Sequence, residues 1–136
     1  MKLSEAIRKG AAVTKPGRRA MTYVVGSDLA ACALGAAVVG LELEKRGIEE
    51  IRDDTLWRRD MAMRVNDLFP ELKEPNTLMF GKPGDSLTNI LVDLNDDFTD
   101  YDKNEEFAVI SLDIVMPPGT TDIRLWIADR LEFVGL

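Results

Sequence analysis

Asp93, Asn95, Asp97, Asp100 and Asp102 form the densest group of oxygen ligands in the chain. Hard cations such as Ca²⁺ and Mg²⁺ take several such oxygens, so this group is the candidate metal site. The spacing departs from that of a twelve-residue calcium loop. Counted from Asp93, the sixth position is Phe98 where that loop needs glycine, and the twelfth is Asn104 where it needs glutamate. Counted from Asp102, the sixth position is Phe107. A solvated acidic loop that also ends the preceding helix explains the same residues more simply. The chain has no histidine and one cysteine, Cys32. Ser-His-Asp and Cys-His catalysis, imidazole-bound zinc, intrachain disulfides and CxxC pairs are therefore excluded. Cys32 stands in an apolar stretch, where a thiol is an inert core residue unless a base activates it.

Four further groups carry weaker signals. Gly81-Lys82-Pro83-Gly84-Asp85-Ser86 suggests a phosphate loop, but the required order is missing and Pro83 removes a backbone N–H. It reads as a turn into a helix cap. Lys15, Arg18 and Arg19 make a basic cluster, either a solvated loop or a contact for an anion or an acidic partner. Trp57 and Trp126 stand at core spacing on their helices; an exposed one would anchor an interface. Met61, Met63 and Met79 fill the core or line a soft binding groove.

Charge and length narrow the function classes. There are 17 Lys+Arg and 24 Asp+Glu, a formal net charge of −7. Residues 1–64 hold 12 basic and 9 acidic side chains, and residues 65–136 hold 5 and 15. Affinity for nucleic-acid phosphates comes largely from Lys and Arg, so this balance argues against general nucleic-acid binding. With 136 residues, 46% hydrophobic and 30% charged, the chain reads as one globular domain over residues 1–136. Such a domain buries enough surface to fold without a disulfide or a structural metal. The first nine residues lack the apolar core of a signal peptide. The longest apolar run, residues 29–41, falls short of the ~20 residues of a membrane span. The expectation is a cytoplasmic chain with Cys32 reduced and no membrane contact.

Six segments position these residues. A short helix opens at Ser4 as its cap, with Glu5 at its positive end and Leu3 and Ile7 on one face. Gly10 ends it, or Ala11 to Val13 continue it. Residues 20–25 alternate as a short strand, which Gly26 closes. The third segment predicts a helix over residues 27–46, capped by Ser27 and stopped by Gly47. Its first half is apolar all round, which makes it the central buried helix. Ala31 with Gly35, and Ala36 with Gly40, let another backbone approach. A fourth helix starts at Asp54 or Thr55 and runs to Phe69, with Trp57, Met61, Val65, Leu68 and Phe69 in one stripe and Pro70 as its stop. A fifth runs from Asp85 or Ser86 to Asn95, with Leu87, Ile90, Leu91 and Leu94 inward; a short strand at residues 78–80 precedes it. The sixth covers residues 121–132, with Ile123, Ile127 and Leu131 beside Trp126. Residues 96–120 look like an insertion: an acidic loop to Asp102, then a β-branched strand over residues 107–116 that pairs with residues 20–25. A helix is the alternative there, since Phe107, Ile110 and Ile114 also share a helical face. The class is α+β, mostly α-helical, with a small sheet of two or three short strands packed on a central buried helix.

Several blocks occur in a set order: Lys2-Leu3-Ser4-Glu5-Ala6-Ile7-Arg8-x-Gly10-Ala11, Cys32-Ala33-Leu34-Gly35-Ala36-Ala37, Leu68-Phe69-Pro70-x-Leu72, Leu94-Asn95-Asp96-Asp97 and Ile127-Ala128-Asp129-x-Leu131-Glu132. Together they resemble a family of small proteins of bacteria and their phages, with the pattern KLSEAIRxGA, CALGAA, FPxL, LND and, in the last helix, WTREQIADWVE. The likeness spans most of the chain and brings no activity with it. This chain departs from the pattern where about 20 residues separate the Leu-Asn-Asp block from the last helix, and where that helix lacks the Trp-Thr-Arg-Glu opening.

Negative chemistry and this resemblance together predict a non-catalytic accessory protein without a cofactor. It would act through protein–protein contacts, as a homodimer or with another chain. Two alternatives come from other classes. The acidic residues of the second half could mimic nucleic-acid phosphates and inhibit a basic enzyme, or residues 93–102 could hold the metal of a weak hydrolase.

Overall fold

A computed structural model describes residues 1–17, 21–73, 86–99, 108–110, 114–116 and 122–136. For residues 93, 96–99, 108–110 and 114–116 it describes the backbone. Helix α1 (Leu3–Ala11) buries Leu3, Ala6, Ile7 and Gly10, one face at helical spacing. Ser4 does not cap it. Lys2 holds the cap position without a side-chain bond, and Ser4 is buried in the first turn, where its N–H donates to the Leu136 carbonyl at 3.2 Å.

The largest departure from the sequence reading comes next. Strands β1 (Lys15–Pro16), β2 (Thr22–Val25) and β3 (Asp28–Ala31) form one sheet in the order β1-β3-β2, with β1 parallel and β2 antiparallel to β3. Val25 pairs with Asp28, so Gly26-Ser27 is a two-residue hairpin turn, and Gly26 has φ 63°. Ser27 is therefore a turn residue, and the expected long helix is a strand followed by helix α2 (Ala33–Glu42). Its central, buried place stands, because every residue of the run from Leu29 to Gly40 is buried. Gly47 caps a short helix α3 (Ile48–Asp53), which sequence reading missed.

Helix α4 (Thr55–Leu68) follows as expected, and Pro70 opens a 3₁₀ turn, Pro70–Lys73, that buries Leu72. Helix α5 (Leu87–Thr99) buries Leu87, Ile90, Leu91 and Leu94. It runs through Thr99, so residues 96–99 are helical rather than part of an acidic loop. Strands β4 (Ala108–Ile110) and β5 (Ile114–Met116) pair with each other, Val109 opposite Val115, and not with β2. Where described, the segment expected as strand or helix is thus strand. Helix α6 (Ile123–Phe133) starts at Asp122, whose carboxylate accepts from the Arg124 N–H. The strand expected at residues 78–80 lies outside the described residues.

The molecule is a mostly helical α+β domain with its three-stranded sheet against the central helix α2. Ile7, Val38, Val65, Leu91 and Ile127 bring five helices into one core. α1 crosses α2 at small residues. A Cβ on Gly10 would strike the Ala36 carbonyl, and one on Gly40 would strike the Ala6 carbonyl. Gly35 lies equally close to the Met21 backbone. Small side chains at four-residue spacing on both helices let the backbones touch, as the sequence suggested for Ala36 and Gly40 of α2. No helix among the described residues is long and apolar enough to cross a membrane.

Candidate functional site

Trp57 is built into a groove between α2 and α4. Asp54 precedes α4, and its Oδ1 accepts from the Trp57 N–H at 3.0 Å. The other carboxylate oxygen accepts from Arg46 Nη1 at 2.9 Å, and Glu42 lies 3.6 Å from Arg46 Nε. Held by two acids, the Arg46 guanidinium lies over the Trp57 ring, 5.3 Å from its centre. A cation above an indole face is attractive and leaves the ring little freedom. The Trp57 N–H bond, with Arg46 next in importance, holds the Asp54 carboxyl below the usual carboxylate range.

The groove has a volume of about 560 Å³. Val38, Leu41, Trp57, Met61 and Leu68 supply its apolar wall, and Lys45 and the Asp60–Arg64 pair are among its polar rim. Trp57, Met61 and Leu68 pack on the core yet keep an edge in water. An apolar slot with a fixed indole and a charged rim suits an apolar side chain of a partner.

The sequence-predicted residues fall in different places. Asn95 is 1% exposed. Its Oδ1 accepts from the Ala33 N–H at 3.0 Å, and its Nδ2 donates to the Gly17 carbonyl at 2.8 Å. That occupation takes Asn95 out of the candidate cation group and makes it a bolt between α5, α2 and the end of β1. Asp93 and Asp97 lie on α5, while Asp100 and Asp102 lie outside the described residues. Among the described residues, no group of three or more His, Cys, Asp or Glu side chains is placed to hold a metal ion. Cys32 lies just before α2, where its Sγ accepts from the Gly35 N–H at 3.4 Å. It is a buried cap rather than a mid-helix residue. Lys15 pairs with Asp28 at 2.9 Å; Arg18, Arg19, Met79 and residues 81–85 lie outside the described residues. Ser86 Oγ accepts from the Asn89 N–H at 3.3 Å, in keeping with its expected cap. Met63 is 87% exposed on the outer face of α4, so it neither fills the core nor joins Met61 in the groove. Trp126 packs against the core with Arg130 over its ring at 5.3 Å.

Two important residues escaped the sequence reading. Arg46 belongs to a polar run, and nothing local ties it to Trp57. Arg124 is 1% exposed and pairs with Asp122 at 2.9 Å. It also donates to Thr14 Oγ1 at 2.7 Å, the Thr14 carbonyl at 3.0 Å and the Ala31 carbonyl at 3.2 Å. One signal pointed to it: Arg124 shares the inward face of α6 with Ala128 and Leu131, where a charge is out of place. Compared with family models, curated proteins and solved structures, the chain matches none.

Proposed function

We propose that the chain is a non-catalytic accessory protein of bacterial or phage origin. It acts in the cytoplasm through protein–protein contacts, and the groove between α2 and α4 is the contact surface. The observation that carries this reading is Trp57, held by Asp54 and Arg46 in an apolar slot open to water. Rigid aromatic anchors dominate protein interfaces because they bury large area at little entropic cost. A second copy of the chain or another protein supplies the occupant. A photo-crosslinking residue at position 61 tests the surface in the source cell, with position 5 on α1 as control. A discrete adduct from position 61, absent from position 5 and lost in Trp57→Ala, is expected. Equal crosslinking from both positions, or an adduct indifferent to Trp57, would overturn it. Light scattering on the purified chain separates the homodimer from the other occupant.

A further inference from the structure

A second face of α4 carries a different chemistry. Thr55, Arg58, Arg59 and Ala62 follow one another at helical spacing and line a cavity of about 360 Å³ with Met21 and Thr22. No acidic side chain among the described residues lines it. Elsewhere Arg8, Arg46, Arg52, Arg64 and Arg124 each pair with a carboxylate. Arg58 and Arg59 have no such pair among the described residues. Arg58 Nη2 donates to Thr55 Oγ1 at 3.3 Å, and its Nε is buried without an acceptor. Two neighbouring carboxylates are engaged: Asp53 accepts from Arg52 at 2.9 Å, and Asp54 from Arg46 and the Trp57 N–H. Both still feel the charge of Arg58. At the helix start Asp54 already accepts from one N–H, that of Trp57. Two adjacent arginines beside two hydroxyls thus give the cavity a positively charged wall, with no carboxylate in its lining among the described residues.

We propose that this cavity binds a phosphoryl group borne by a small molecule. Guanidinium groups fork onto pairs of phosphate oxygens, and α4 presents two of them to one cavity. The Thr55 hydroxyl accepts from Arg58, so its own proton can go to a third oxygen. Thr22 offers another hydroxyl from β2.

Calorimetry at low ionic strength, with inorganic phosphate as the probe and acetate at equal ionic strength as control, tests the site. One saturable phosphate site is expected, with acetate at least tenfold weaker. Arg58→Gln/Arg59→Gln should lose at least tenfold in affinity, while Lys9→Gln on α1 keeps it. Phosphate should also raise the melting temperature of the native chain and leave that of Arg59→Gln, a change at an exposed position, unmoved. Binding unaffected by the double substitution, or phosphate no better than acetate, would overturn the proposal. A single-stranded oligothymidylate bound far more tightly than phosphate would overturn the small-molecule source.

Discussion

The Asn95 amide joins Ala33 N–H and Gly17 C=O, two backbone groups that the chain brings from far apart. Arg124 does the same at larger scale, drawing the loop after α1 and the end of β3 onto α6. Both are fully enclosed, and a buried polar group stripped of its partner costs about 1–3 kcal/mol. Asn95→Ala should therefore destabilise by about 1–3 kcal/mol in urea unfolding. Arg124→Met leaves Asp122 with the backbone N–H of residue 124 as its donor and strips the guanidinium from Thr14 and the carbonyls it serves. A loss of about 3–5 kcal/mol is expected, and Arg124→Lys should not restore it, because one ammonium cannot replace the planar fork. Asp54 gives a pH signature. Its carboxyl titrates below its unfolded value of about 3.9, so its contribution is present above that value and is lost as pH falls through the folded one. The melting-temperature gap between the native chain and Asp54→Ala should be open at neutral pH and close in acid. A gap that is constant with pH would remove Asp54 from the account of the Trp57 site.

Elements follow their residues until the chain must choose between two buried forms. The stripe of α4 and the inward leucines of α5 were legible, because an amphipathic face announces its period. Residues 29–40 were not, because a segment buried on all sides has no polar face to show one. The hairpin settles the matter: Gly26-Ser27 after an alternating segment is a turn signal, and pairing with β2 draws residues 28–31 into the sheet. Helix α2 starts only where that ladder ends. Where α1 crosses it, a methyl has no room. Gly10→Ala should destabilise by about 1–3 kcal/mol despite the better helix propensity of alanine, and Gly40→Ala should behave alike. A stabilised Gly10→Ala would show that the crossing is looser than drawn.

At the scale of the whole molecule, α4 stands out as the least covered long helix. Val65 is the one fully buried residue in it, while Leu56 and Met63 on its outer face are 78% and 87% exposed. Leu56→Gln and Met63→Gln should leave the unfolding free energy within about 0.5 kcal/mol of the native chain. A larger loss in dilute solution would mean that this face is already covered by another copy. The two ends of the chain are joined as well: Arg8 of α1 pairs with Asp129 and Glu132 of α6 at 2.7 and 3.0 Å.

The sequence by itself determined which stretch is central, which helix faces point inward and which chemistries lack their residues. Composition and local period are properties of neighbours in the chain, and these conclusions need nothing more. The fold decided what the polar residues do. Asn95 meets Ala33 across 62 positions and Arg124 meets Thr14 across 110, and Arg46 comes to lie over Trp57 because the chain turns back between them. A buried donor is satisfied by whichever acceptor the packing delivers, and no local spacing records that choice.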